Sequence, residues 1–259
     1  MTSPLMTRST SPPRSIDLNC DVGEAAGHDD SLIPLVSSIN IACGGHAGDT
    51  ATMLATLQLA QLHGVAVGGH PGHPDRQHFG RRQLAIAAGD AARLVCEQLE
   101  TLEALATCPL DHVKLHGGLY HQVAYDRELA AAVCSSLARN WPGMRIVLPA
   151  EAPAITVAIA HGLRVSREAF LDRAYDDNGR LVPRSEPGSV LTDAREVAQR
   201  AVQLVTEGRL LSRGGRDLPL VSDTLCLHGD GPGAVALLRA VRRGFAEEGI
   251  LVRRPVASA

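Results

Sequence analysis

The sequence predicts an α/β protein whose seven parallel strands close into a (β/α) barrel. Short β-branched or apolar runs alternate with longer helical stretches along the whole chain, which is the mark of a parallel sheet with crossover helices. A doubly wound open sheet is the competing arrangement. Against it, no GxGxxG follows the first run and no linker-like shift in composition divides the chain. The length of 259 residues also suits a closed barrel, since such barrels form single domains of roughly 250 residues.

Strands are expected at 15–19, 38–43, 65–68, 112–115, 145–148, 163–166 and 224–227. A first helix, 50–63, starts at a capping Thr50 and stops at Gly64. Further helices are expected at 89–106, 126–139, 153–161, 192–207 and 232–248. In the last, Asp230 and Gly231 precede Pro232, a residue favoured in the first helical turn. Two polar segments rich in Gly, Pro and Arg, 71–82 and 169–190, interrupt the alternation. Loops of that length inside a domain are usually functional, and both follow strands, on the face where barrel active sites lie. They are read as substrate-covering loops. Residues 1–14 read as a disordered tail and 15–254 as a single barrel catalytic domain.

With 45% apolar residues but only 3% aromatics, the core must be built from Ala, Val, Leu and Ile. A formal net charge of −3 offers no attraction to nucleic acid or an anionic membrane. No apolar stretch approaches the ~20 residues of a spanning helix, and the first fifteen residues lack the apolar segment of a secretory signal. Six cysteines without CxxC spacing read as reduced thiols of a cytoplasmic protein.

The chemistry gathers where strands end. Four of the eleven histidines, His46, His70, His116 and His228, each stand where a buried run meets glycine. Converging on one barrel mouth, they exceed what a packed core needs, and the glycines allow close backbone approach to a ligand. The remaining histidines read as surface, loop or helix-end residues, with His73 and His78 lying in a candidate lid. Lys114 is the only lysine in the chain, where Arg cannot supply a compact ammonium, and it shares a strand face with His116. Asp21 with His70 and His116 are candidate ligands of a divalent metal. Without metal the same residues suit proton transfer, because imidazoles titrate near neutrality. Nucleotide-loop, nucleophile-elbow and kinase signatures are absent.

Six blocks carry a family resemblance: DLNCDVGE, NIACGGHAGD, GGHPGHPDRQHFGRR, VKLHGGLYHQV, EAFLDRAYDDNGRLVPRS and DTLCLHGDG. Over 16–252 the chain resembles the LamB/YcsF family, whose members are the A subunit of bacterial 5-oxoprolinase. It departs from the usual pattern at Gly45 (commonly aromatic), Leu115 (commonly Pro), His121 (commonly Asn) and the Gly72-His73 pair.

The resemblance implies a seven-stranded barrel related to the polysaccharide-deacetylase-like (NodB-like) fold. It implies ATP-dependent opening of the 5-oxoproline lactam to L-glutamate, with ATP as co-substrate of a complex containing two partner subunits, B and C. For that reaction Asp21 or Glu24 is expected to activate water and His46 or His116 to act as acid. Lys114 and His228 are expected to hold the anionic substrate beside Asn19, His70 and Asp230, with Arg76, Arg173 and Arg184 closing from the lids. Comparison with carbohydrate deacetylases of the broader fold likewise puts Asp21, His70 and His116 at a metal position. Two alternatives remain: a stand-alone metal-dependent amidohydrolase or deacetylase, and a non-catalytic lactam-binding subunit.

Overall fold

The computed structural model describes residues 14–231 and 233–254. Seven parallel strands form a closed ring: β1 (Ser15–Val22), β2 (Ser38–Ala42), β3 (Ala66–His70), β4 (His112–Lys114), β5 (Arg145–Pro149), β6 (Arg164–Phe170) and β9 (Thr224–Cys226). Strand β9 pairs with both β6 and β1, which closes the barrel. A short β10 (Leu251–Val252) pairs in parallel with the start of β1. Strands β7 (Arg209–Leu211) and β8 (Asp217–Pro219) make a separate antiparallel hairpin. The helices are α1 (Asp29–Leu32), α2 (Thr50–His63), α3 (Ala88–Glu103), α4 (Gly117–Tyr125), α5 (Arg127–Asn140), α6 (Ala154–Ala160), α7 (Ala194–Glu207) and α8 (Ala234–Glu247). Among the described residues no helix is long and apolar enough to cross a membrane.

Strand alternation places the core. Successive side chains of a strand face opposite ways, and in β1 Ile16, Leu18, Cys20 and Val22 join the hydrophobic core. Asp17, Asn19 and Asp21 face the other way, into the barrel. Asp17 there accepts hydrogen bonds from Ser37, Ser38 and Thr224 at 2.7, 2.8 and 2.5 Å. Asn19 Nδ2 donates to Glu168 and Thr224 at 3.0 and 2.8 Å. The barrel lumen is therefore a hydrogen-bonded polar network, whereas most barrels fill theirs with branched apolar side chains. Its buried groups bond one another, which removes most of the cost of burial.

Several boundaries differ from expectation, each for a local reason. Helix α2 is capped by Asp49, whose carboxylate accepts from Thr52 N at 2.8 Å, and Thr50 is its first residue. It does stop at Gly64, in the left-handed region. Helix α4 lies where no helix is expected, because Gly117-Gly118 disguise its start. The hairpin of β7 and β8 and the short α1 are further additions to the expected elements. Strand β6 runs four residues past 166, because its pairing with β9 continues to Phe170. His112, grouped with the surface, loop or helix-end histidines although it opens the expected strand 112–115, lies inside the barrel on β4, with Nε2 2.8 Å from Asn40 Oδ1. Of the expected tail, Arg14 is described and its carbonyl accepts from Leu251 N; residues 1–13 and Pro232 lie outside the described residues.

Candidate active site

The C-terminal ends of β1 to β4 bring four side chains together. Glu24 follows β1, His46 follows β2, His70 ends β3, and His116 follows β4 and caps α4. His46 Nε2 lies 3.1 Å from Glu24 Oε1. His116 Nδ1 lies 2.9 Å from His70 Nε2 and 3.4 Å from Glu24 Oε1, and His70 Nε2 lies 3.8 Å from Glu24 Oε1. His70 Nδ1 is 2.7 Å from the Lys114 carbonyl and His116 Nε2 is 2.8 Å from that of Phe79. A carbonyl only accepts, so each ring carries its proton on that side and turns its other nitrogen toward the cluster.

The electrostatics follow from burial. Burial pushes the Glu24 carboxyl well above its usual range, and the neighbouring Asp21 charge adds to this. Burial, with His70 next, lowers His46 to about 2 and takes His116 well below the usual imidazole range. Asp21 goes the other way. Burial would raise it, but His70 and Lys114 outweigh that and hold its carboxyl well below normal.

These four residues fit a divalent ion. Their donor atoms all lie within 4.8 Å of one another, and tetrahedral zinc with bonds of ~2.0–2.2 Å would set its ligands about 3.3–3.6 Å apart. Neutral imidazoles are also the form that ligates. This grouping differs from the expected Asp21, His70 and His116. Asp21 lies next to the cluster, 3.4 Å from His70 Nε2, but its other oxygen is taken by Lys114 Nζ at 2.9 Å and by Asn40 Nδ2 at 2.8 Å.

A cavity of about 370 Å³ opens beside the cluster, lined among others by Asp21, His70, His116 and His228. In its wall His228 Nδ1 lies 2.9 Å from both oxygens of Asp172, the ring stacks on Phe170, and a ring nitrogen lies within 4.8 Å of an Asp21 carboxylate oxygen. Arg81, Arg173 and Arg184 line the cavity too. Arg81 pairs with Asp230 at the rim. Arg173 donates to the carbonyls of Ser189 and Val182, and burial beside Arg184 lowers it to about 10.

Other expected residues have different surroundings. Arg76 is exposed and donates to the Gly44 carbonyl at 2.8 Å; it ties the two loops together and does not line the cavity. Asn19 is buried below the cavity, with both ends of its amide bonded inside the barrel. Lys114 does line the cavity, yet its ammonium is engaged by Asp21 and Glu168, each at 2.9 Å. His73 bonds from the loop to Gln122 on α4, and His78 bonds within the loop to Asp75. Sequence reasoning missed Glu168, Asp172, Tyr120 and Arg81. A signal for the first two existed: Ser166, Glu168, Phe170 and Asp172 are spaced by two, so a longer strand would have shown them on one face.

The fold and site define a class first: a polysaccharide-deacetylase-like barrel with a buried carboxylate–imidazole cluster at its mouth. A peptidoglycan deacetylase of Bacillus subtilis superposes with a TM-score of 0.53 at 10% identity, covering 93% of this chain and 87% of that one. The chain belongs to the LamB/YcsF family, whose model matches residues 16–259. It is 42% identical over 247 residues to the A subunit of 5-oxoprolinase from Nitrobacter winogradskyi, covering 92% of this chain and 97% of that protein. The crystal structure of the lactam utilization protein of Thermus thermophilus superposes with a TM-score of 0.87 at 42% identity, over 92% of this chain and 99% of that one.

Proposed function

We propose that this chain, through one catalytic barrel spanning 15–254, opens the lactam ring of 5-oxo-L-proline to L-glutamate. In this reading it acts in the cytoplasm as the A subunit of an ATP-dependent complex with two partner subunits, B and C. The observation that carries the reading is the cavity beside the cluster. Asp21, His70 and His116 line it together with His228, which Asp172 holds, and with Arg81, Arg173 and Arg184. The names of the close relatives supply the substrate.

Ring opening adds water across one C–N bond: the carbonyl carbon gains oxygen and the ring nitrogen gains a proton. A lactam is an unreactive amide, and ATP coupling in the complex activates its carbonyl oxygen by phosphorylation, with ADP and, after hydrolysis, inorganic phosphate as the other products. Asp21 stays charged and faces the cavity, so it accepts the proton of the attacking water. Glu24 does not line the cavity and stays within the cluster, where burial favours its neutral form and a bound ion would favour the carboxylate. His228, oriented by Asp172 through Nδ1, delivers a proton to the departing nitrogen. That role replaces the anion-holding one expected for it, because its Nδ1 is committed to a carboxylate. Arg173 and Arg184 hold the substrate carboxylate. A divalent ion, when bound by Glu24, His46, His70 and His116, would polarise a carbonyl and acidify water.

The test is glutamate release from 5-oxoproline, with and without ATP, by this chain alone and with both partners. Turnover is expected only with partners and ATP; no turnover with folded partners would overturn the reading. The ion-sized cluster favours one second reading, a stand-alone metal amidohydrolase. That reading requires chelator-sensitive cleavage of a simple amide without ATP.

A further inference from the structure

Lys114 is the chain's single lysine, and its ammonium is buried inside the barrel between two carboxylates. Nζ lies 2.9 Å from Asp21 Oδ1 on β1 and 2.9 Å from Glu168 Oε1 on β6. Cys226 Sγ and Asn19 Oδ1 complete its surroundings at 3.1 and 3.4 Å. Asp21 lines the main cavity, but Glu168 does not. Glu168 lines a smaller neighbouring cavity instead and is held by fixed groups: Asn19 Nδ2 donates to Oε1 at 3.0 Å, and the Tyr120 hydroxyl donates to Oε2 at 2.6 Å.

An ammonium has three hydrogens and accepts none. With a carboxylate of β1 and one of β6 each 2.9 Å away, it is drawn to both. With Glu168 neutral, Asp21 would be the only counter-ion left, and the ammonium would close on it. Asp21 would then lose the freedom of its second oxygen, which now lies 3.4 Å from His70 Nε2, on the side of the cavity. Removing one member of a buried charge group is a large perturbation even when the shape is kept.

We propose that Glu168 is a positioning residue of this site. It anchors Lys114 so that the ammonium holds Asp21 by one oxygen and leaves the other toward the cavity, while Tyr120 fixes the orientation of Glu168. The inference relies on the proposed function only in taking the main cavity as the active site.

One lysine makes the clamp directly observable, because lysine-selective 13C and 15N labelling gives a single side-chain signal, that of Lys114. In Glu168→Gln that signal is expected to shift, and its ammonium to exchange with water roughly tenfold faster or more as a charged hydrogen bond is lost. In the full complex the same variant is expected to lower kcat roughly tenfold or more, with KM changed less than about twofold. A folded Glu168→Gln chain with an unmoved lysine signal, or with an unchanged kcat, overturns the proposal. Should that variant fail to fold, Tyr120→Phe takes its place, with a smaller signal shift and a smaller fall in kcat expected, and no change in either overturning it. Failure of the wild-type complex to open 5-oxoproline would refute the functional reading alone, since the lysine signal tests the clamp without substrate.

Discussion

His46 and His116 stack face to face, their ring centroids 3.6 Å apart and their planes within 4°. Two imidazolium rings would repel strongly at that distance, so the arrangement belongs to neutral rings, in line with the depressed values of both.

That relationship makes stability depend on pH. A histidine whose pKa is lower in the folded chain than its ordinary 6.5 contributes fully above about pH 6.5 and loses that contribution as pH falls. Glu24, raised from 4.5, works the other way: its contribution is whole below 4.5 and is lost as pH rises. Between pH 6.5 and 4.5 the loss from His46, His116 and the likewise depressed His121 outweighs the gain from Glu24, so acidification destabilises the fold. Calorimetry with chelator present should show a lower Tm at pH 5.0 than at pH 7.5. A flat profile would contradict neutral stacked rings.

Zinc should bind the four-residue cluster and raise Tm, by the equivalent of about 2.7 kcal/mol when free metal is a hundredfold above Kd. His70→Ala should abolish the rise. A rise that survives in the variant would place the metal elsewhere.

The Asp172–His228 pair should govern proton delivery. His228→Ala is expected to lower kcat about a hundredfold or more, the usual contribution of a positioned general acid. Asp172→Asn should reproduce much of that loss while leaving KM nearly unchanged. Full activity in either variant would remove His228 from the chemistry.

Arg184 lines the cavity from the lid. Arg184→Ala should raise KM for 5-oxoproline about tenfold with kcat held, the loss expected for one charged hydrogen bond. The same variant should not alter weak activity on a lactam lacking the carboxylate. Equal effects on both substrates would show that Arg184 does not read the carboxylate.

The glycines after His116 should be intolerant for a steric reason. A Cβ on Gly118 would stand 2.1 Å from the Arg82 carbonyl oxygen, and backbone cannot step aside as a flexible side chain would. Gly118→Ala should cost about 1–3 kcal/mol, measured by urea unfolding, and should displace the lid that packs there. Unchanged stability would mean that the loop moves freely.

Much of this protein is legible in its sequence. Alternating apolar and helical runs identify a parallel barrel, because a strand buried on both sides needs a crossover helix to reach its parallel neighbour. Glycine beside a strand-end histidine, before His46 and His70 and after His116 and His228, locates all four, since strand ends converge at one mouth. Lys114 stands out because no other lysine exists to dilute it. The tertiary structure alone decided which of these residues meet. Glu24 and His46 join His70 and His116, and Asp21 turns to Lys114, because loop geometry after β1 and β2 sets those approaches. Glu168 and Asp172 enter the site because cross-strand pairing carries β6 beyond its apolar stretch. The polar lumen depended on closure of the ring: period two puts Asp17, Asn19 and Asp21 on one face, but only β9 pairing with β1 makes that face the inside.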